Sequence, residues 1–183
     1  VDAGSVVGVD AGMDAGGADA WVPPDGGAVD AGCAGLECVG VTDLVVRMNG
    51  VQRPLTRAQV GLEHAGGVVT RLYVEAHAGG DPACPSEQSP TPDRTLIISG
   101  IPAGSAGARY THADGVRVVL LDFVGDLLSS PAPARASTVE LAIQAVATDS
   151  VQGAFLSAVL TAGFDGGTVE GHVGATHCES LDD

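Results

Sequence analysis

The feature that most limits what this chain can become is a period-two alternation that sets in at about Val39 and returns in run after run. The clearest case is VVTRLYVEAHAGG, where Thr70, Leu72, Val74 and Ala76 alternate with Arg71, Tyr73, Glu75 and His77. Side chains on a strand point to opposite faces in turn, so this run predicts a strand with one face buried and one wet. DLVVRMNG places Leu44, Val46 and Met48 on one face and ends in Asn49-Gly50, a strong hairpin signal. AQVGLEHAGG does the same with Ala58, Val60 and Leu62 before Gly66-Gly67 breaks it. RTLIISG reads as a further strand, and GVRVVLLDFVG is apolar on both faces, the pattern of a strand central to two packed layers.

One run is ambiguous. STVELAIQAVATD, residues 137–149, carries Ser137 and Glu140 in capping-box spacing and is rich in Ala, which favours helix. Yet Val139, Leu141, Ile143, Ala145 and Ala147 alternate without a fault, and its neighbours read as strands. It is assigned as a strand. AFLSAVLTAGFDGG then enters a hairpin at Asp165-Gly166-Gly167, and VEGHVGATHC is the return arm. The whole predicts an all-β domain of about eight strands, an antiparallel β-sandwich or barrel, over residues 33–183.

Residues 1–32 have a different texture. VDAG recurs at 1–4, 9–12 and 29–32, and the segment holds six Asp, no basic residue and few bulky apolar side chains. Such a composition cannot bury enough surface to offset its ordering entropy, so it predicts a disordered acidic linker. Asp10, Asp14 and Asp19 lack the alternate-position spacing of a calcium loop.

The charge balance excludes some functions. Acidic residues number 23 and basic ones 8, all arginine and scattered, for a net charge of −15. Nucleic acid and anionic membrane surfaces call for clustered positive charge, so neither is expected as a partner. Aromatic residues are only 3% of the chain, and the one Trp, Trp21, lies in the linker, which argues against a stacking platform for sugars or bases. No stretch approaches the roughly 18 unbroken apolar residues that span a bilayer.

Four cysteines, Cys33, Cys38, Cys84 and Cys178, suit disulfides in an oxidising compartment, and counting alone leaves all three pairings open. Zinc prefers tighter Cys pairs than the C-x₄-C of Cys33 and Cys38. His172 and His177 are the candidate metal ligands. Strand parity turns them to opposite faces, and on a helix they fall roughly 140° apart, so a metal site would need distant ligands such as His64 or His77. AGSAG at 103–107, with His112 nearby, faintly resembles a serine nucleophile elbow but lacks the strand–turn–helix context that strains such a turn. Asp122, inside VLLDFVG, needs a partner if it faces inward; an Arg is the bland solution and a functional carboxylate the sharper one. No catalytic residue and no cofactor is predicted.

ACPSEQSPTPDRTLIISGIP, VRVVLLDFVGDLL and FDGGTVEGHVGATHCESLD resemble the β-domain of uncharacterised secreted lipoproteins of myxobacteria, in which an Asp/Ala/Gly-rich spacer follows a lipidated cysteine. The resemblance implies an extracytoplasmic location and a calycin-like or sandwich fold. Cys33 has no lipobox, since Asp30 stands where an aliphatic residue belongs, so a lipid anchor is expected upstream of Val1. The expected disulfides are Cys33–Cys38 and Cys84–Cys178, the second tying the Pro-rich loop to the last strand. The expected function is non-enzymatic: a membrane-tethered domain at the cell surface that presents loops 78–94 and 100–114 to an unknown protein or small-molecule partner. The alternatives are a carrier of a small hydrophobic ligand in a barrel cavity, and a metal-dependent enzyme using His172 or His177.

Overall fold

Alternation becomes sheet throughout. The computed structural model describes residues 40–148 and 153–183, all within one compact unit, Ala31–Asp183. The linker 1–32 and the pair Cys33–Cys38 lie outside the described residues. Eleven strands form one sheet: β1 (Asp43–Met48), β2 (Val51–Leu55), β3 (Arg57–Ala65), β4 (Val68–Ala78), β5 (Arg94–Pro102), β6 (Arg109–Thr111), β7 (Arg117–Asp122), β8 (Ala134–Arg135), β9 (Thr138–Ala147), β10 (Phe155–Phe164) and β11 (Gly167–His177). Single 3₁₀ turns follow β6 and β11. The sheet is open and curled into a half-barrel, in the order β6-β9-β10-β11-β3-β4-β5-β7-β8, with the β1–β2 hairpin attached to β11.

The alternating residues line the concave face. Leu44, Val46, Leu72, Val74, Leu141 and Leu160 are all fully buried there. At roughly 1.5–3 kcal/mol for each large side chain taken from water, this face supplies most of the drive to curl. Within the 137–149 run, Thr138–Ala147 is a strand, with Val139, Leu141 and Ile143 inward. Its surroundings override the capping-box signal, because β9 pairs with β10 along nearly its whole length. Asn49 (φ 51°) and Gly50 (φ 80°) form the expected hairpin turn.

Three expectations need correction. The strand count is eleven, because β2, β6 and β8 are too short or irregular to announce themselves, and β2 holds Pro54. Pro lacks the N–H of a ladder, so it is tolerated here only because β2 pairs on one side, with β1. The sheet is not wholly antiparallel, since β11 runs parallel to β3 across Ala175–His177. Strand β7 is also not central: it pairs with β5 and with the two-residue β8, and Val119 and Leu121 on its second face are only half-buried.

The parallel pairing arises at a fork. One edge of β11 pairs with β1 from Gly167 to His172, and with β3 from Ala175 to His177. Between them the backbone of Gly174 is bonded by the Thr42 side chain, whose hydroxyl donates to the Gly174 carbonyl (2.9 Å) and accepts from its N–H (3.1 Å). Thr42 is buried, so the hydroxyl stands in for a missing strand. Thr42→Val keeps the shape and removes both bonds. It should lower unfolding stability by about 1–3 kcal/mol in chemical denaturation. An unchanged midpoint would show that the fork is closed by something else.

Candidate functional site

The convex face of the sheet carries its chemistry where β3, β4 and β5 run side by side. Outward positions alternate with the core residues, so Gln59 (β3), His77 (β4) and Thr95 (β5) belong to the outer side. His77 and Thr95 are direct cross-strand partners. Outward residues are ordinarily wet, yet Gln59, His77 and Thr95 are 7%, 6% and 4% exposed. The Pro-rich segment 79–93 covers Gln59 and His77, and Gln59 Nε2 donates to its Ala83 carbonyl (2.7 Å). Asp81, Pro85 and Pro90 help to wall a void of only about 30 Å³ beneath it, room for a water and not for a substrate.

A disulfide fastens this cover. Cys84 in the loop bonds to Cys178, the residue after β11, with Cα atoms 5.5 Å apart across a separation of 94 residues. This is the expected pair. The residues after it complete the edge of β3: Cys178 donates its N–H to the Val60 carbonyl (2.9 Å), Asp182 accepts from Leu62 N–H (2.8 Å), and Asp183 donates to the Leu62 carbonyl (3.1 Å). Leu181 lies so close over Gly61 that a Cβ there would stand 2.1 Å from its carbonyl oxygen. Only glycine fits beneath that turn.

Along the outer side of β4 runs a row of polar contacts whose His77 end lies beneath the cover. Tyr73 Oη donates to Glu75 Oε1 (2.8 Å), Glu75 Oε2 lies 3.5 Å from His77 Nε2, and His77 Nδ1 lies 3.0 Å from Thr95 Oγ1. An imidazole protonated on Nε2 satisfies both of its contacts, with the Thr95 hydroxyl donating to Nδ1. Burial lowers the His77 pKa below its ordinary value; Glu75 opposes this and Arg57 adds to it. Burial, helped by the neighbouring Glu75 carboxylate, pushes the Tyr73 phenol well above its usual range. Both groups are therefore neutral at pH 7. The row copies the order hydroxyl–imidazole–carboxylate, with the buried Thr95 as its hydroxyl. Its His77 end borders the small void beneath the loop.

The two histidines singled out from the sequence are held apart by parity. His172 is an outward residue of β11: its Nδ1 lies 2.8 Å from the Val41 carbonyl and its Nε2 3.0 Å from Ser157 Oγ. Ser157 is fully buried and also lies 3.2 Å from the side-chain amide of Gln144. His177 instead contacts both carboxylate oxygens of Asp182 at 3.0 Å. Neither meets His64 or His77, and among the described residues no group of three or more His, Cys, Asp or Glu is placed to hold a metal ion. Ser105 sits in a loop where its carbonyl accepts from Ala108 (3.2 Å), and among the described residues no hydrogen bond joins it to His112.

Asp122 finds its partners in the backbone. Its carboxylate accepts the N–H groups of Gly125 (3.0 Å), Leu127 (2.7 Å) and Leu128 (3.0 Å), shaping the turn after β7. Burial works to raise its pKa, but these bonds and the nearby Arg94 outweigh it and hold the carboxyl below its usual range. Arg94 itself pairs with Asp126 (3.0 Å), which also binds Arg53 (2.7 Å). Asn49 joins this end to the hairpins, through Leu127 (2.9 Å) and Gly166 (2.9 Å).

A hydrophobic-ligand carrier needs an enclosed apolar space of roughly 300–1,000 Å³. Here the concave face is filled by its own side chains, among them Leu55, Leu96, Leu120 and Leu156, all fully buried. An open hollow of about 280 Å³ lies elsewhere, lined by a mixture of polar residues (Asn49, Ser129, Ser130, Asp165) and apolar ones (Met48, Leu128). Comparison with protein-family models, curated proteins and solved structures found no match to this chain.

Two measurements test the local assignments. His77 has a folded pKa below its unfolded value of about 6.5, so the unfolded chain binds the extra proton first on acidification. Its contribution to stability is complete above about pH 6.5 and shrinks as pH falls towards the folded pKa. Stability against unfolding should thus fall between about pH 7 and 5 more steeply in the native chain than in His77→Gln; parallel profiles would contradict the buried neutral imidazole. Asp122→Ala strands three N–H groups and should cost about 1–3 kcal/mol, measured by denaturant titration at neutral pH.

Proposed function

We propose that this chain is a non-enzymatic extracytoplasmic β-domain, carried on its acidic Asp/Ala/Gly-rich segment and tethered to a membrane by a lipid upstream of Val1. Its work is interfacial: it holds a defined loop face towards a protein or small-molecule partner at the cell surface. The observation that carries this reading is the Cys84–Cys178 disulfide, which clamps the Pro-rich loop over the outer side of the sheet. Disulfides persist in oxidising compartments and are rare where glutathione and thioredoxin keep thiols reduced. A loop pinned at its ends and its middle loses little further entropy on binding, which suits it to presentation. The filled concave face supports a display role over a carrier role.

The test is made on cells that produce the protein, with thiols blocked by an alkylating reagent before lysis. Protease applied to intact cells should release a fragment spanning the β-domain, and non-reducing peptide mapping should recover Cys84 joined to Cys178. Recovery in the soluble cytoplasmic fraction, with both cysteines alkylated, would overturn the proposal.

A further inference from the structure

The loop 79–93 is attached to the sheet in a way that lets it leave. Its ends belong to a closed ladder: Ala78 pairs with Arg94, and Asp93 donates its N–H to the Ala78 carbonyl (2.8 Å). The chain departs through Gly79 and Gly80, both at positive φ (71° and 73°), where a glycine pair turns freely. None of residues 79–93 belongs to the buried hydrophobic core. The loop is an Ω-type strap, and lifting it breaks no strand pairing.

Four side-chain bonds hold it down, each to a strap carbonyl. Arg57 donates to Gly79 and to Gly80 (3.3 Å for the latter), Gln59 to Ala83 (2.7 Å), and Ser180 to Pro85 (2.5 Å). Water replaces the donor to a carbonyl at small net cost, so these bonds hold the strap only weakly against solvent. The face beneath is also incompletely satisfied, because Arg57 Nε is buried without a hydrogen-bond partner among the described residues. The covalent bond is therefore the decisive fastening.

Its two sulfurs differ in access. Cys84 is exposed, whereas Cys178 is 1% exposed. Thiol–disulfide exchange requires a thiolate to reach one sulfur and expel the other, and access decides which. The exposed residue, Cys84, is the side that offers itself to attack. The expelled sulfur is then that of Cys178, which has the Ser180 hydroxyl 3.2 Å away. Once the Pro85 carbonyl departs with the strap, that hydroxyl is free to donate to the new thiolate.

We propose that Cys84–Cys178 is an exchangeable clasp, opened at Cys84 by a small thiol or dithiol, and that opening it lifts strap 79–93 from Gln59 and His77. An attacking thiolate forms a bond to Cys84 Sγ as the Cys84–Cys178 bond breaks. The electron pair leaves on Cys178 Sγ, which takes a proton from water. With a dithiol, its second thiolate attacks its own bonded sulfur and releases Cys84 as a thiolate, which is protonated in turn. The protein disulfide gains two electrons and two protons, and the dithiol is oxidised to its cyclic disulfide. With a monothiol, the product is a mixed disulfide on Cys84. The uncovered face then offers an amide and an imidazole, a hydrogen-bonding surface for a polar ligand. This control of the display face goes beyond the function proposed above and holds wherever the domain works.

The experiment uses the full oxidised chain, treated separately with glutathione and with dithiothreitol, then alkylated and mapped. Glutathione should be found on Cys84, with the alkyl label on Cys178. After dithiothreitol, amide hydrogen exchange should speed by on the order of tenfold or more within 79–93, while the ladders of β3, β4 and β5 keep their protection. The double variant Cys84→Ser/Cys178→Ser should show the same open strap without reagent. Glutathione on Cys178, or unchanged exchange in 79–93, would overturn the proposal. So would loss of protection across the whole sheet, or a double variant that does not fold, because the bond would then be a staple of the fold and not a clasp.

Discussion

The architecture rests on the way one strand, β11, is shared. It borders β10 along one edge and divides its other edge between β1 and β3, so it joins the two halves of the sheet. A ladder that changes partner leaves a gap of unpaired backbone, and an unpaired buried N–H or carbonyl costs as much as a lost hydrogen bond. The Thr42 hydroxyl fills that gap by both donating to and accepting from Gly174. A single side chain thus lets an eleven-stranded sheet fork without a hole. Beyond the fork, Cys178, Asp182 and Asp183 continue the bonding of β3 that β11 began.

Much of this was legible in the residues because burial on one face of a strand writes itself as alternation. The inward positions of β1 and β3, and Leu72, Val74 and Ala76 of β4, are those the pattern selects. Strand β9 follows it at Val139, Leu141 and Ile143 until the bulge opposite Ser157 and Ala158, beyond which Val146 and not Ala145 packs on the core. What was hidden has physical causes. The strands β6 and β8 are three and two residues long, too short for a period to show. Strand β2 carries Pro54, which reads as a loop signal until its one-sided pairing is seen. The parallel contact of β11 with β3 depends on where β1 stops, a tertiary fact with no local signature.

The site residues divide in the same way. Parity alone separated His172 from His177, and the structure seats them in unrelated contacts with Ser157 and Asp182. Cys84 and Cys178 pair as the Pro-rich loop and last strand suggested. Gln59 and His77 stood in plain view as the wet side of their strands, and nothing in their spacing announced that a loop would bury them. Cover by a remote segment is invisible to periodicity. Asp122 shows the converse: a carboxylate in an apolar run is satisfied chiefly by the N–H groups of its own following turn, with Arg94 nearby.

The shared strand has a consequence in time as well as in space. Strands β1 and β3 emerge early in synthesis, yet the neighbour both require is residues 167–177, more than a hundred positions later. Until that strand arrives, Thr42 has no carbonyl to bond and the edge of β3 stays open. Contacts this distant in sequence make folding slow, since a long loop must close before any of them is gained. Closure of the sheet at both β1 and β3 therefore waits on the delivery of β11.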